Sequence, residues 1–175
     1  GAQARALGGD VRLEGGSRAP GANASEPQVT IRAQGTTTAE GLRQARELGF
    51  VSRLARDMTG STAYSLTVAV RRGVPEVALA SNLQGMALNL PAPLAKAAEA
   101  ALPLRYETSA TREALAAPEG SPLRQQDQLI VELGRLVGVH YVRDASSGDP
   151  KPLRGAIAVG LAPGESALLP EQGVM

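Results

Sequence analysis

Few side chains in this sequence could carry acid–base, nucleophilic or metal chemistry, and they are scattered. His140 is the single histidine. A triad, a metal cluster or a histidine switch needs a partner group, and nothing in the flanking pattern supplies one. The carboxylates Glu76, Glu107, Glu113, Asp127, Glu132, Asp144 and Asp149 are spread along the chain. Asp144 and Asp149 flank one turn and could hold a cation weakly, but ordinary turn chemistry accounts for them equally well. Gly8-Gly9 and Gly15-Gly16 lack the spacing of a phosphate cradle. Ser61 and Ser81 have no nucleophile-elbow context. The absence of cysteine excludes disulfides and thiolate metal sites. The net charge of +1, with acids and bases interspersed, argues against a nucleic-acid partner, which needs a concentrated basic face. The expectation is a chain with no catalytic residue, no metal ligand and no cofactor.

What does recur at fixed spacing is aliphatic. Tyr64, Leu66, Val68 and Val70 fall on every second residue, as do Val77, Leu79, Ser81 and Leu83, and then Leu102, Leu104 and Tyr106. Successive strand side chains point to opposite faces, so each run makes one apolar face and one small or polar face. The candidate ligand-facing residues are therefore Leu66, Val68, Val70, Val77, Leu79, Leu102, Leu104 and Tyr106. Three readings of that face stay open on pattern alone. A sandwich could bury it against a second sheet, another protein could dock on it, or acyl chains could lie along it, since they need area and no directional hydrogen bonds.

The elements that must position these rows read as short strands separated by polar turns. Gly73-Val74-Pro75 suits a hairpin inside the Ser61–Tyr106 stretch. Upstream, Ala4 to Glu14 reads as a strand that turns at Gly8-Gly9 and continues through Val11 and Leu13. Gly15 to Pro27 reads as a flexible loop, and its Asn23-Ala24-Ser25 matches a glycosylation sequon only as a short polar motif. Gln28 to Gln34 alternates, with Val29, Ile31 and Ala33 on one face, and Gly35 is expected to end it. The period then changes. Thr37 and Glu40 have the form of a capping box, and Leu42, Ala45, Leu48, Val51, Leu54 and Met58 recur at helical spacing. Gly49 should end a first short helix before a second starts at Phe50. Arg43, Arg46, Arg53 and Arg56 fill the other side, a face that is solvated or meets phosphate. Pro91 and Pro93 place an edge or crossing loop after Leu90. Further strands are expected at Gln128–Leu133, Arg135–Arg143 and Arg154–Leu161. Flexible loops are expected near residues 113–124 and 144–152. The class is mostly β, an antiparallel twisted and curved sheet with one helical insertion near residues 37–58.

Composition limits what this sheet can bury. Phe50, Tyr64, Tyr106 and Tyr141 are the whole aromatic inventory of 175 residues, so leucine, valine and alanine must fill any core. The length suits a single folded segment. Its start at Gly1, without an initiator methionine, reads as a piece of a longer protein. No run is long and apolar enough to cross a bilayer as a helix.

Gly41-Leu42-Arg43-Gln44, Leu54-Ala55-Arg56-Asp57-Met58-Thr59-Gly60-Ser61-Thr62-Ala63-Tyr64, Ser81-Asn82-Leu83-Gln84-Gly85-Met86-Ala87-Leu88-Asn89-Leu90-Pro91-Ala92-Pro93-Leu94-Ala95-Lys96 and Leu102-Pro103-Leu104-Arg105 together resemble the YhdP-type AsmA-like proteins of the Gram-negative envelope. The Leu-Pro-Ala-Pro-Leu-Ala-Lys segment followed by Leu-Pro-Leu-Arg is the most specific part, and Leu169-Pro170-Glu171-Gln172-Gly173-Val174 resembles a stretch that runs on into a further strand. The resemblance implies a long protein with an inner-membrane helix and an extended periplasmic β-groove. Such a protein passes phospholipid between the two membranes and supports the outer-membrane barrier. The implied partners are phospholipid acyl chains, neighbouring segments of the same polypeptide and other envelope proteins. The family brings no catalytic residues. The alternative is a structural or protein-interaction β module of the envelope that conducts no lipid.

Overall fold

The computed structural model describes residues 1–18, 28–46, 50–71, 73–162 and 165–174. The chain begins with a hairpin of Ala2–Ala6 (β1) and Gly9–Arg18 (β2), paired antiparallel with Ala6 opposite Gly9. Its two-residue turn, Leu7-Gly8, has positive φ at both positions, 53° and 80°. That is the twist a type I′ turn needs to match the strands. The next strand, Gln28–Thr38 (β3), runs through Gly35 rather than stopping there. A Cβ at Gly35 would meet Val11 Cγ2 at 2.9 Å and the Asp10 carbonyl, so this glycine lets β3 lie close against β2.

The helical segment follows as Ala39–Gln44 (α1), Phe50–Leu54 (α2) and a 3-10 turn at Ala55–Asp57. Gly49 and Leu48 lie outside the described residues. The cap is Thr38, whose hydroxyl accepts from the Gly41 amide at 3.0 Å. Thr37, expected in that role, is still strand; it is buried, and its hydroxyl donates to the Leu7 carbonyl at 3.1 Å. Glu40 turns to its own helix, accepting from Arg43 at 2.7 Å and Gln44 at 2.9 Å. Those contacts hold its carboxyl below the usual range, the Arg43 hydrogen bond being the largest cause. Arg43 also donates to the carbonyls of Ala55 and Met58, both at 3.1 Å. It ties α1 to the end of the second helical stretch instead of presenting a free cation.

Eight further strands complete the sheet: Met58–Arg71 (β4), Val74–Ser81 (β5), Met86–Leu88 (β6), Leu104–Ala110 (β7), Gln126–Leu133 (β8), Val137–Asp144 (β9), Lys151–Val159 (β10) and Gly173–Val174 (β11). Neighbour order is β1-β2-β3-β4-β5-β7-β8-β9-β10-β11, with β6 paired to the start of β4. The sheet is open and mostly antiparallel, with β10 and β11 parallel. The expected loop at 113–124 instead holds a short helix, Arg112–Ala116 (α3), and a 3-10 turn at Pro122–Gln125. Thr111 caps α3 through the Ala114 amide, and Ser121 with Pro122 starts the 3-10 turn. Residues 15–18, expected in a loop, belong to β2; residues 19–27, with the sequon, lie outside the described residues.

The chain divides into two compact units, Gly1–Gly16 with Thr30–Thr67 and Leu79–Leu104, and Ser17–Val29 with Val68–Ala78 and Arg105–Met175. Alanines make up half of the buried apolar residues in the first unit and most of those in the second. In the first, Ala33, Ala39, Ala45 and Ala55 are buried beside Val11, Leu83, Met86 and Leu88. In the second, Ala110, Ala114, Ala156 and Ala167 are buried with Val142.

The hairpin tip of the first unit shows why size matters. The Leu7 carbonyl accepts from the Thr38 amide at 3.0 Å as well as from Thr37. A Cβ at Gly41 would collide with that carbonyl, and one at Gly8 with the Thr38 hydroxyl. Gly41→Ala should therefore lower stability by about 1–3 kcal/mol, the usual cost of overpacking, read as a shift in denaturation midpoint. Gly16→Ala, where a Cβ meets nothing within 4 Å, should leave the midpoint nearly unchanged.

Candidate functional site

The second unit carries the clearest two-faced surface. In β8–β9–β10 the register aligns Leu129 with Tyr141 and Gly155, Val131 with Val139 and Ile157, and Leu133 with Val137 and Val159. Partners directly opposite in an antiparallel ladder share a face, so these residues form one aliphatic surface. None of its large side chains is fully buried: Leu129, Val131, Leu133, Val137, Val139 and Tyr141 are half-buried, as lateral neighbours on a sheet suffice to make them. Ile157 is 50% and Val159 70% exposed. The Tyr141 ring lies over Gly155, where any side chain would collide with it.

The opposite face is covered and polar. A Cβ at Gly138 would meet Leu161 Cδ1 at 2.8 Å and Ala167 Cβ at 3.7 Å, so the returning chain packs there. Val142 and Ala156 are buried on that side. Gln128 bridges Ser109 at 3.0 Å and His140 at 3.4 Å. Arg105 pairs with Glu107 at 2.7 Å and Glu132 at 3.4 Å. The Glu107 hydrogen bond is the largest cause holding its guanidinium above the ordinary value. His140 is thus a packed sheet residue. Burial, with the Arg154 charge in support, lowers its pKa against a weaker opposing bond to the Ala167 backbone.

One ion pair sits on the aliphatic face. Asp127 and Arg143 are direct ladder partners, two residues beyond the Leu129–Tyr141 pair. The guanidinium donates to both carboxylate oxygens, Nε at 2.9 Å and Nη2 at 2.6 Å. Side-chain exposure is 16% for Arg143 and 8% for Asp127. Burial alone would lower the Arg143 pKa, but the hydrogen bonds and charge of Asp127 raise it. Sequence spacing gave no sign of this pair, because its members lie 16 residues apart and meet only through the β8–β9 register.

The eight expected residues divide between the two units. Leu66, Leu79, Leu102 and Leu104 belong to the first, and Val68, Val70, Val77 and Tyr106 to the second. All are half-buried except Val70, which is 41% exposed. The hydroxyls of Thr62 and Ser81 lie 3.3 Å apart. Both hydroxyls lie in the first unit, and strand alternation puts Leu66 on the Thr62 side of β4 and Leu79 on the Ser81 side of β5. Leu104 and Tyr106 fall on one side of β7 by strand alternation. Leu102, expected in a strand, precedes β7; its amide donates to Asn82 O at 2.7 Å. The hairpin turn falls before Val74, so Val74 and Pro75 are already in β5. The β8–β10 residues were legible as alternating strands but not as part of the candidate surface. Their signal was the same period-two spacing, and Ile157 and Val159 were its most exposed members.

A family model described as YhdP protein matches residues 1–175. The chain belongs to the YhdP family. No curated protein and no solved structure matches it. Membership of the YhdP family fits an envelope protein of lipid transport. Among the described residues no helix is long and apolar enough to cross a membrane, and no group of three or more His, Cys, Asp or Glu is placed to hold a metal ion.

The end of the Pro91–Lys96 segment is held against the β6 strand. Lys96, at its end, donates through Nζ to the carbonyls of Met86 at 2.6 Å and Ala97 at 2.9 Å, and its backbone pairs with Leu88. Burial lowers its pKa, partly offset by Glu99.

The direction of the His140 shift fixes a pH dependence. A histidine whose folded pKa lies below 6.5 binds fewer protons folded than unfolded as pH falls through that value, so its contribution to stability declines on acidification. The slope of unfolding free energy between neutral and mildly acidic pH should be shallower in His140→Gln. An unchanged slope would show that His140 is not responsible.

Proposed function

We propose that this chain is a non-enzymatic stretch of an apolar β-groove that carries phospholipid between the inner and outer membranes and so supports the outer-membrane barrier. The whole protein would be anchored in the inner membrane, with this part in the periplasm. The observation that carries the reading is the inverted placement of apolar residues. Alanines take up much of the interior, while Ile157, Val159 and Val70 stay exposed on sheet faces. A soluble domain gains by burying large aliphatics first. Leaving them in register along strands makes sense where an apolar ligand is to be met.

The mechanism is passive. Acyl tails lie along rows of leucine, valine and isoleucine while headgroups stay in water. Each tail methylene removed from water contributes about 0.8 kcal/mol, and aliphatic contacts have no directional preference, so a tail can shift by one methylene at little cost. In the first unit Leu66, Leu79, Leu102 and Leu104, and in the second Val68, Val70, Val77, Tyr106, Val131, Val139, Ile157 and Val159, are the residues we assign to acyl-chain contact. Adjoining segments of the same polypeptide would extend the surface.

Photo-reactive residues placed in the full-length protein in cells test this. Positions 66, 79, 104, 139 and 157 should yield phospholipid adducts, and positions 67, 105, 128 and 132 should not. Equal labelling of the two sets, or adducts to proteins alone, would overturn the proposal; the latter outcome favours a docking module. Ile157→Lys and Val159→Lys should cost little stability, within about 0.5 kcal/mol as expected for exposed sites, yet lower the phospholipid recovered with the purified chain.

A further inference from the structure

The Asp127–Arg143 pair is the one charged feature of the β8–β10 aliphatic face. A guanidinium beside an apolar surface is well suited to capture a phosphate, because its planar fork offers two parallel donors to two oxygens. A phospholipid drawn along such a surface would be held there by its headgroup, and directional capture opposes sliding. In this structure one bidentate edge of the guanidinium, Nε and Nη2, is already taken by the two oxygens of Asp127, two of its five N–H donors. The carboxylate has the bidentate geometry a phosphate would use. With side chains only 16% and 8% exposed, the pair is closed and neutral as a unit.

We infer that Asp127 masks Arg143, keeping a latent phosphate-binding fork from gripping the headgroups of lipids whose tails lie on this face. Asp127 is then a specificity-determining residue. It makes the surface read acyl tails and leaves it indifferent to the headgroup phosphate. The inference rests on the lipid reading above, and names which part of the ligand this surface reads.

The test compares lipid uptake by the purified chain from vesicles of phosphatidylcholine doped equally with phosphatidylglycerol and diacylglycerol, which share tails but differ in the phosphate. Wild type should take up the two dopants in nearly equal amounts. Asp127→Asn, which keeps the shape and removes the charge, should favour phosphatidylglycerol several-fold, with the preference weakened by salt. Adding Arg143→Gln to that variant should return the ratio to the wild-type value. Unchanged uptake ratios in a folded Asp127→Asn protein would overturn the masking role. Should Asp127→Asn fail to fold, the paired variant Asp127→Leu with Arg143→Leu still decides. Masking predicts a dopant ratio like wild type, whereas a wild-type preference for phosphatidylglycerol that this variant loses would show Arg143 open to phosphate, and would overturn the inference. Uptake of neither dopant by wild type would sink the lipid reading itself, a result separate from any change in ratio.

Discussion

Close approach of backbone to backbone is the constraint on which this structure rests. With four aromatic residues in 175, the chain cannot fill wide gaps between elements, so it removes the gaps. The Leu7 carbonyl reaches Thr37 and Thr38 because Gly8 and Gly41 have no side chains to keep it away. Strand β3 lies against β2 at Gly35, and the chain after β10 lies on Gly138. Alanines then fill what little space remains. Where a void is too small for water, each atom lining it regains contacts only if its neighbours move in, and glycine and alanine permit that movement.

In the second unit, large aliphatics also stay at the surface of the sheet. In the β8–β10 ladder, Leu129, Val131, Val139, Ile157 and Val159 gather on one face because strand alternation and the register put them there. The other face takes the returning chain, His140 and the Arg105–Glu107–Glu132 network. The one ion pair on the apolar face is also the most completely satisfied polar group of that face, as the cost of desolvating charge demands. An unpaired partner there would be worth about 3–5 kcal/mol of destabilisation.

Departures from the sequence reading have local causes that spacing does not encode. The Thr37 and Glu40 pattern has the right form for a capping box, but Thr38 has the same hydroxyl, and the choice between them fell to the Leu7 carbonyl thirty residues upstream. Gly35 looked like a strand end because glycine weakens strands in isolation; here it admits a neighbouring strand. Segment 113–124 looked like loop because of Pro118, Gly120 and Pro122. The proline that excludes a strand also starts a 3-10 turn well, and Thr111 caps the short helix before it. Arg43 looked solvated because a charged helix face usually is; its carbonyl partners at Ala55 and Met58 come from a separate turn of chain.

The sequence by itself determined the β class, the positions of most strands, the helical segment near residues 37–58 and the period-two aliphatic rows. These are properties of neighbours two to four residues apart, which side-chain direction and backbone preference fix locally. Family membership was legible for a similar reason, since the Pro-Ala-Pro segment ending in Lys96 is a contiguous run. Only the tertiary structure decided which face of β8–β10 is covered, that Lys96 holds the Met86 and Ala97 carbonyls, and that Asp127 meets Arg143. Those outcomes depend on strand register and on where the returning chain packs. Both arise from contacts between distant residues, and no local pattern in the sequence records them.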